Sequence, residues 1–178
     1  MFATIYLPDF YLQAALRHQP ELSGKPVALI DDLEKKATII QLNSAAIEAG
    51  IYCGMTPSQG LARSLQLIVK TRVASQEKRM QEILLHFAGT LAPFVETTGP
   101  GTTTVHFTDE RNLLEKTSCV IQQLAKSEII AQAGLGPTPD ISFLAAHMAK
   151  PILQVDNAIQ FLAALPIETL MIAQGVPL

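Results

Sequence analysis

From residue 75 to residue 149 the apolar residues change spacing in a fixed order: helix, strand, strand, helix, strand, helix. Met80, Ile83, Leu84, Phe87 and Leu91 recur at helical intervals, which predicts a helix with Ser75 as N-cap running to about Ala92. Phe94-Val95-Glu96 enters a strand, and the β-branched run 102–107 is another. Asp109 is placed to cap a helix through about Lys126, with Leu113, Leu114, Val120, Ile121 and Leu124 inward. Residues 129–135 read as a strand, and Thr138-Pro139 opens a helix to Ala149, since proline suits a first helical turn. Residues 2–7 add one more strand from the front. This order suits a small sheet with helices packed on one face, the α+β class.

Between the first strand and that block lies an insertion, residues 11–74. Asp9 is positioned to cap a short helix to about His18, with Pro20 ending it. Residues 26–30 and 37–42 read as strands, and 67–70 as a shorter one. Asn43 or Ser44 caps a helix that stops at Gly50, and Thr56-Pro57 opens the next. Beyond the main block, Asp156 or Asn157 caps a short helix through Ala163.

Composition narrows what such a chain does. At 178 residues and 48% apolar it can bury a core of one or two domains and is not disordered. No apolar run reaches the length of a membrane span, and the N-terminus lacks a signal peptide's layout, so a cytoplasmic protein with no membrane partner is expected. Cys53 and Cys119 have neither CxxC spacing nor a nearby His pair and read as ordinary thiols. The net charge is -3 and the sequence pI about 5.8. Lys35-Lys36 and Lys78-Arg79 are isolated pairs rather than a basic stripe. Phosphate neutralisation supplies most non-specific DNA affinity, so weak or no autonomous DNA binding is expected.

Four stretches carry more than a fold class. They are Leu7-Pro8-Asp9-Phe10-Tyr11, Leu22-Ser23-Gly24-Lys25-Pro26-Val27, the run 43–51 with Gly54-Met55, and Met148-Ala149-Lys150-Pro151. In this order and spacing the chain resembles the palm and fingers of Y-family (translesion) DNA polymerases. The resemblance implies a ferredoxin-like palm sheet from residues 1–10 and 75–155 and a small inserted α/β fingers lobe from 11–74. It makes 156–178 the start of a thumb, with the rest of the thumb and the little finger lying beyond this chain.

The resemblance also shows what is missing. The family's first strand ends in an acid that holds the catalytic metals; here that position is Leu7, with Tyr6 or Pro8 offered by a one-residue shift. Asp9 lies two positions on, either as a remnant of a metal ligand or as a helix cap. The family's Asp-Glu pair falls on Gly101-Thr102 and its later Asp on His106, anchored by Glu96 and residues 105–108. Nucleotidyl transfer by this route needs two Mg2+ ions about 3.5–4 Å apart, and Mg2+ wants carboxylate oxygens. With all three ligands gone, Mg2+ binding is not expected. In the fingers, the family's triphosphate-contacting Tyr and Arg are replaced by Ser44 and Ile47. Tyr11 falls at or beside the steric gate, and Lys150 matches a phosphate-contacting lysine.

The acid-less pattern is similar to the inactive ImuB-type (DinB/UmuC-like) subunit of the bacterial mutasome. That similarity implies a pseudoenzyme on a nucleotidyltransferase fold, acting in DNA repair and the SOS response. Its role would be scaffold or adaptor for an active error-prone polymerase, with the sliding clamp engaged through regions beyond this chain. Two other readings stand beside it. One is a fragment of an active DNA polymerase with relocated acids, candidates being Asp9, Glu96 and Asp109. The other is an unrelated ferredoxin-like α+β domain.

Overall fold

In the computed structural model, described for residues 1–22, 24–31, 37–109, 111–166 and 169, fifteen regular elements alternate along the chain. They are β1 (Phe2–Tyr6), α1 (Phe10–Leu16), β2 (Val27–Ile30), β3 (Ile39–Leu42), α2 (Ser44–Glu48), α3 (Pro57–Arg63), β4 (Ile68–Thr71), α4 (Ala74–Gly89), β5 (Phe94–Gly99), β6 (Thr102–His106), α5 (Leu113–Lys126), β7 (Gln132–Gly136), α6 (Pro139–Met148), β8 (Ile152–Gln154) and α7 (Ala158–Ala164). A 3-10 turn, Pro20–Leu22, follows α1. The chain forms two compact units, residues 1–8 with 81–178 and residues 9–80, and the division falls within α4.

The first unit is a five-stranded sheet in the order β5-β6-β1-β7-β8. β1 sits at its centre, antiparallel to β6 and β7, while β8 runs parallel to β7. The class is α+β, as the spacing predicts. Helices nevertheless flank both faces of this sheet rather than one. Side chains alternate along a strand, so neighbouring Thr103 and Thr104 point to opposite faces. Gln81 of α4 bonds Thr103, whereas Ser142 of α6 bonds Thr4, the cross-strand neighbour of Thr104. α6 lies so close to β7 that a β-carbon at Gly134 would stand 2.2 Å from Ala146 N and 2.3 Å from the Ser142 carbonyl oxygen. Only glycine permits that approach.

The second unit has a three-stranded sheet, β3-β2-β4, with β2 antiparallel to β3 and parallel to β4. Every residue of β2 is buried, which fits a central strand covered on both faces. Ala28 and Ile30 join Ile39, Ile51, Met55 and Leu67 in one core cluster. Val27 and Leu29 join Leu12, Ala15 and Leu22 in another. Asn43 ties the sheet to α2: its Oδ1 accepts from Val27 N and Ala46 N at 2.9 and 3.0 Å, and its Nδ2 donates to the Lys25 carbonyl.

Local signals set most helix starts. Asn43, Thr56, Thr138 and Asn157 each cap with a side-chain oxygen, and Thr56 forms a full capping box with Gln59. Four expectations need correction. Ser75 lies inside α4, which begins at Ala74 and ends at Gly89 rather than Ala92. Asp109 does not cap α5; Asn112 holds the N-cap position in left-handed backbone, and the Asp109 carboxylate accepts from Arg111 instead. Asp9 occupies the N-cap position of α1, but in left-handed backbone (φ 47°) and with no side-chain cap bond. Residues 129–131 precede the strand, because the Ile129 N–H is used to close the end of α5 on the Leu124 carbonyl. The sequence reading also missed β8, three residues held by pairing with β7. Among the described residues no helix is long and apolar enough to cross a membrane.

Candidate functional site

The site starts where β1 ends against the β5–β6 hairpin. Tyr6 pairs with Thr102 across the ladder, and the Leu7 N–H donates to the Gly101 carbonyl at 2.8 Å. Leu7 is 0% exposed, Gly101 is buried, and Thr102 is 4% exposed. Gly101 has a left-handed φ of 66°, which lets the hairpin turn back into β6. The Gln81 amide holds this turn from α4: its Oε1 accepts from Gly101 N at 2.9 Å, and its Nε2 donates to Thr103 Oγ1 at 3.2 Å. Leu7 and the Gly101-Thr102 pair, far apart in sequence, therefore meet at one point. None of them brings a carboxylate to it.

Beside that point lies an aromatic stack that sequence reasoning missed. His147 of α6 stacks on Tyr6 with ring centroids 3.9 Å apart, and Phe143 tilts against it at 4.4 Å. His147 Nδ1 lies 2.9 Å from the Phe143 carbonyl, so the nitrogen carries the hydrogen and donates. Burial pushes the imidazole pKa below its ordinary value, with the Phe143 carbonyl pulling weakly the other way. Nothing in the spacing of a helix in this apolar run marks His147 or Gln81 as special; both depend on partners from other elements. Lys150, two residues past α6, is exposed and precedes a cis bond to Pro151. His106 is exposed on β6 and stacks on Phe2. Glu96 is exposed on β5, opposite Thr104.

The remaining candidates sit in the second unit. One face of the Tyr11 ring is taken: the Arg72 guanidinium lies 3.8 Å from its centroid. Arg72 also forks onto Glu77 at 2.8 and 2.9 Å and reaches Asp31 at 2.7 Å. Ser44, the first residue of α2, is exposed, and Ile47 is 60% exposed. Asp9 is exposed as a residue, yet the protein around its carboxyl disfavours the charged form and raises its pKa. The same carboxylate adds to burial in raising the Cys53 thiol. Asp109, in the first unit, is held by Arg111 at about 2, chiefly through their side-chain hydrogen bonds. Among the described residues no three His, Cys, Asp or Glu side chains converge as a metal site.

A profile of the impB/mucB/samB family matches residues 5–149. The chain is similar to DNA polymerase IV of Ralstonia nicotianae, 22% identical over 170 residues that cover 90% of this chain and 48% of that protein. It is 24% identical over 171 residues to DNA polymerase IV of Pseudomonas syringae pv. tomato, again covering 90% of this chain and 48% of the relative. The chain thus spans about half the length of the curated relatives it matches. The fold is similar to that of Dbh DNA polymerase in a post-insertion binary complex, with a TM-score of 0.81, 17% identity and coverage of 94% of this chain and 52% of that one. It is also similar to DinB from Sulfolobus solfataricus, with a TM-score of 0.78, 17% identity and coverage of 94% and 52%.

These relatives correct the expectation that no metal is involved: they are DNA polymerases, of a family that uses divalent metal ions. The groups at the β1–hairpin junction themselves do not fit Mg2+. A leucine side chain, a bare glycine and one neutral hydroxyl offer none of the carboxylate oxygens that a hard cation takes.

Proposed function

The chain belongs to the impB/mucB/samB family, and from that premise we propose that it is a Y-family DNA polymerase-like module of translesion synthesis that does not itself polymerise. It acts as a scaffold or adaptor for an active error-prone polymerase, in the manner of an ImuB-type subunit. Residues 1–10 and 75–155 serve as palm, 11–74 as fingers and 156–178 as the entry to a thumb. One observation carries the reading: Leu7, Gly101 and Thr102 meet at the end of β1, where the metal-holding acids of a polymerase would stand, and no carboxylate is among them. The fingers support it. Ser44 and Ile47 offer no cation to a triphosphate, and one face of the Tyr11 ring is already covered by Arg72. Lys150 keeps a phosphate-contacting role in this reading only as a solvated cation. The acidic balance of the chain agrees with weak DNA binding of its own, with an active polymerase and a sliding clamp as partners.

The names of the relatives favour a second reading, a fragment of an active DNA-directed DNA polymerase with relocated acids. Its candidates are dispersed. Asp109 is held by Arg111, Glu96 stands on the outer strand β5, and Asp9 belongs to the other unit. Family membership removes the third reading, an unrelated ferredoxin-like domain.

Primer extension by the natural full-length protein, with Mg2+ or Mn2+, separates the two that remain. The scaffold reading expects no template-dependent incorporation, together with capture of an active error-prone polymerase. Incorporation that is abolished by Asp9→Asn, Glu96→Gln or Asp109→Asn would overturn it in favour of the second.

A further inference from the structure

Four hydroxyl groups cross the five-stranded unit in a line. Thr98 Oγ1 lies 3.3 Å from Thr104 Oγ1, Thr104 Oγ1 lies 2.9 Å from Thr4 Oγ1, and Thr4 Oγ1 lies 2.8 Å from Ser142 Oγ. The line ends where Ser142 Oγ stands 2.8 Å from the Pro139 carbonyl oxygen. Thr4, Thr104 and Ser142 are buried, whereas Thr98 is exposed on β5.

The direction of every bond follows from counting hydrogens. Each hydroxyl has one to give and two lone pairs. A carbonyl oxygen has none, so the short contact with Pro139 takes the hydrogen of Ser142. Ser142 then offers Thr4 only lone pairs, and Thr4 must donate. Thr104 must donate to Thr4 for the same reason, and Thr98 to Thr104. We infer that these groups form a one-way hydrogen-bond chain, from Thr98 through Thr104, Thr4 and Ser142 to the Pro139 carbonyl, that fixes the seat of α6 on the sheet and hence the place of His147 at the end of β1. Bonds aligned in this way polarise one another. The inference does not depend on whether the protein polymerises.

A one-way chain makes a specific prediction about two residues that do not touch. If Ser142 is removed, Thr4 can turn to Thr104, Thr104 to Thr98, and Thr98 to water. The chain runs backwards and no hydrogen is stranded. If Thr98 alone is removed, the forward chain survives. With both removed, one buried hydroxyl is left with no acceptor, which a buried donor tolerates poorly.

The experiment is a double-mutant cycle on Ser142→Ala and Thr98→Val, read by denaturant unfolding. The double variant is expected to raise the unfolding equilibrium constant about tenfold or more beyond the product of the single effects. Replacing Thr98→Val by Thr98→Ser in the double variant should restore the product. Failure of the double variant alone to fold, with both singles folded, is the same coupling in its extreme form. The seat of α6 is read separately from the His147 ring protons, which Tyr6 and Phe143 displace. These should move already in Ser142→Ala, which severs the chain's one link to α6, and hold still in Thr98→Val. Single effects that simply multiply would overturn the one-way chain, and unmoved His147 signals would overturn its role in seating α6.

Discussion

The two units solve the same problem, joining a helix to a sheet, with different chemistry. The five-stranded unit uses neutral groups: the Leu7–Gly101 backbone bond, the Gln81 amide and the hydroxyl line into α6. The inserted unit uses charge. Arg72, just after β4, gathers Tyr11 of α1, Glu77 of α4 and Asp31 at the end of β2. Their formal charges differ in sense too. Residues 1–8 and 81–178 hold four lysines and arginines against nine carboxylates, while 9–80 hold nine against seven. Neutral bonds in a buried ladder are indifferent to salt, whereas a half-exposed ionic hub is screened by it. Among the described residues, the five-stranded unit is thus the one whose core contacts at Leu7, Gln81 and the hydroxyl line are all neutral.

Four measurements sharpen or break this contrast. Gly134→Val should have the largest effect, about 3 kcal/mol or more of lost stability in denaturant unfolding, because its side chain would enter the backbone of α6. A loss below about 1 kcal/mol would mean that α6 yields easily. Arg72→Ala should cost about 1–2 kcal/mol at low salt by removing the fork on Glu77 and the cover on Tyr11. That loss should shrink in about 1 M salt while the Gly134 effect does not. Equal salt dependence in both would erase the contrast.

The third measurement is a pH titration of stability. The folded pKa of His147 lies below the ordinary value of 6.5, so the unfolded chain takes up the proton first. His147 should therefore contribute its full stability above pH 6.5 and lose it progressively as pH falls toward the lower folded value. His147→Gln should flatten that slope; an unchanged slope would assign it to other groups. Smallest of all is Asp109→Asn. Although Arg111 holds the carboxyl at about 2, the pair lies in solvent, and no measurable change in unfolding is expected.

What the sequence made legible was local. Asn43, Thr56, Thr138 and Asn157 cap the helices that follow them, because the donor that each satisfies lies three residues away. Asp109 misled because it has the right chemistry three residues too early, beside an arginine that takes its carboxylate. β8 escaped because three residues carry no periodicity, and its existence rests on distant β7. The second helical face escaped for a similar reason. Only the register of Thr4 and Thr104 against Ser142 reveals which side α6 covers. At the candidate site, Leu7, Gly101 and Thr102 were singled out through a resemblance rather than from their own chemistry. Gln81 and His147, which surround them, have no sequence signal, since a glutamine or histidine within a helix looks the same whether or not a hairpin or a tyrosine meets it.

Gly101 makes the corner where β1 meets the hairpin selective about the side chains it accepts. Its left-handed backbone suits a residue without a β-carbon, and most other residues placed there bear roughly 1–2 kcal/mol of strain, asparagine and aspartate less. A bulky or β-branched side chain at position 101 therefore meets that strain in full, whereas an aspartate meets less of it. The left-handed turn thus filters what this corner accepts by backbone shape rather than by charge.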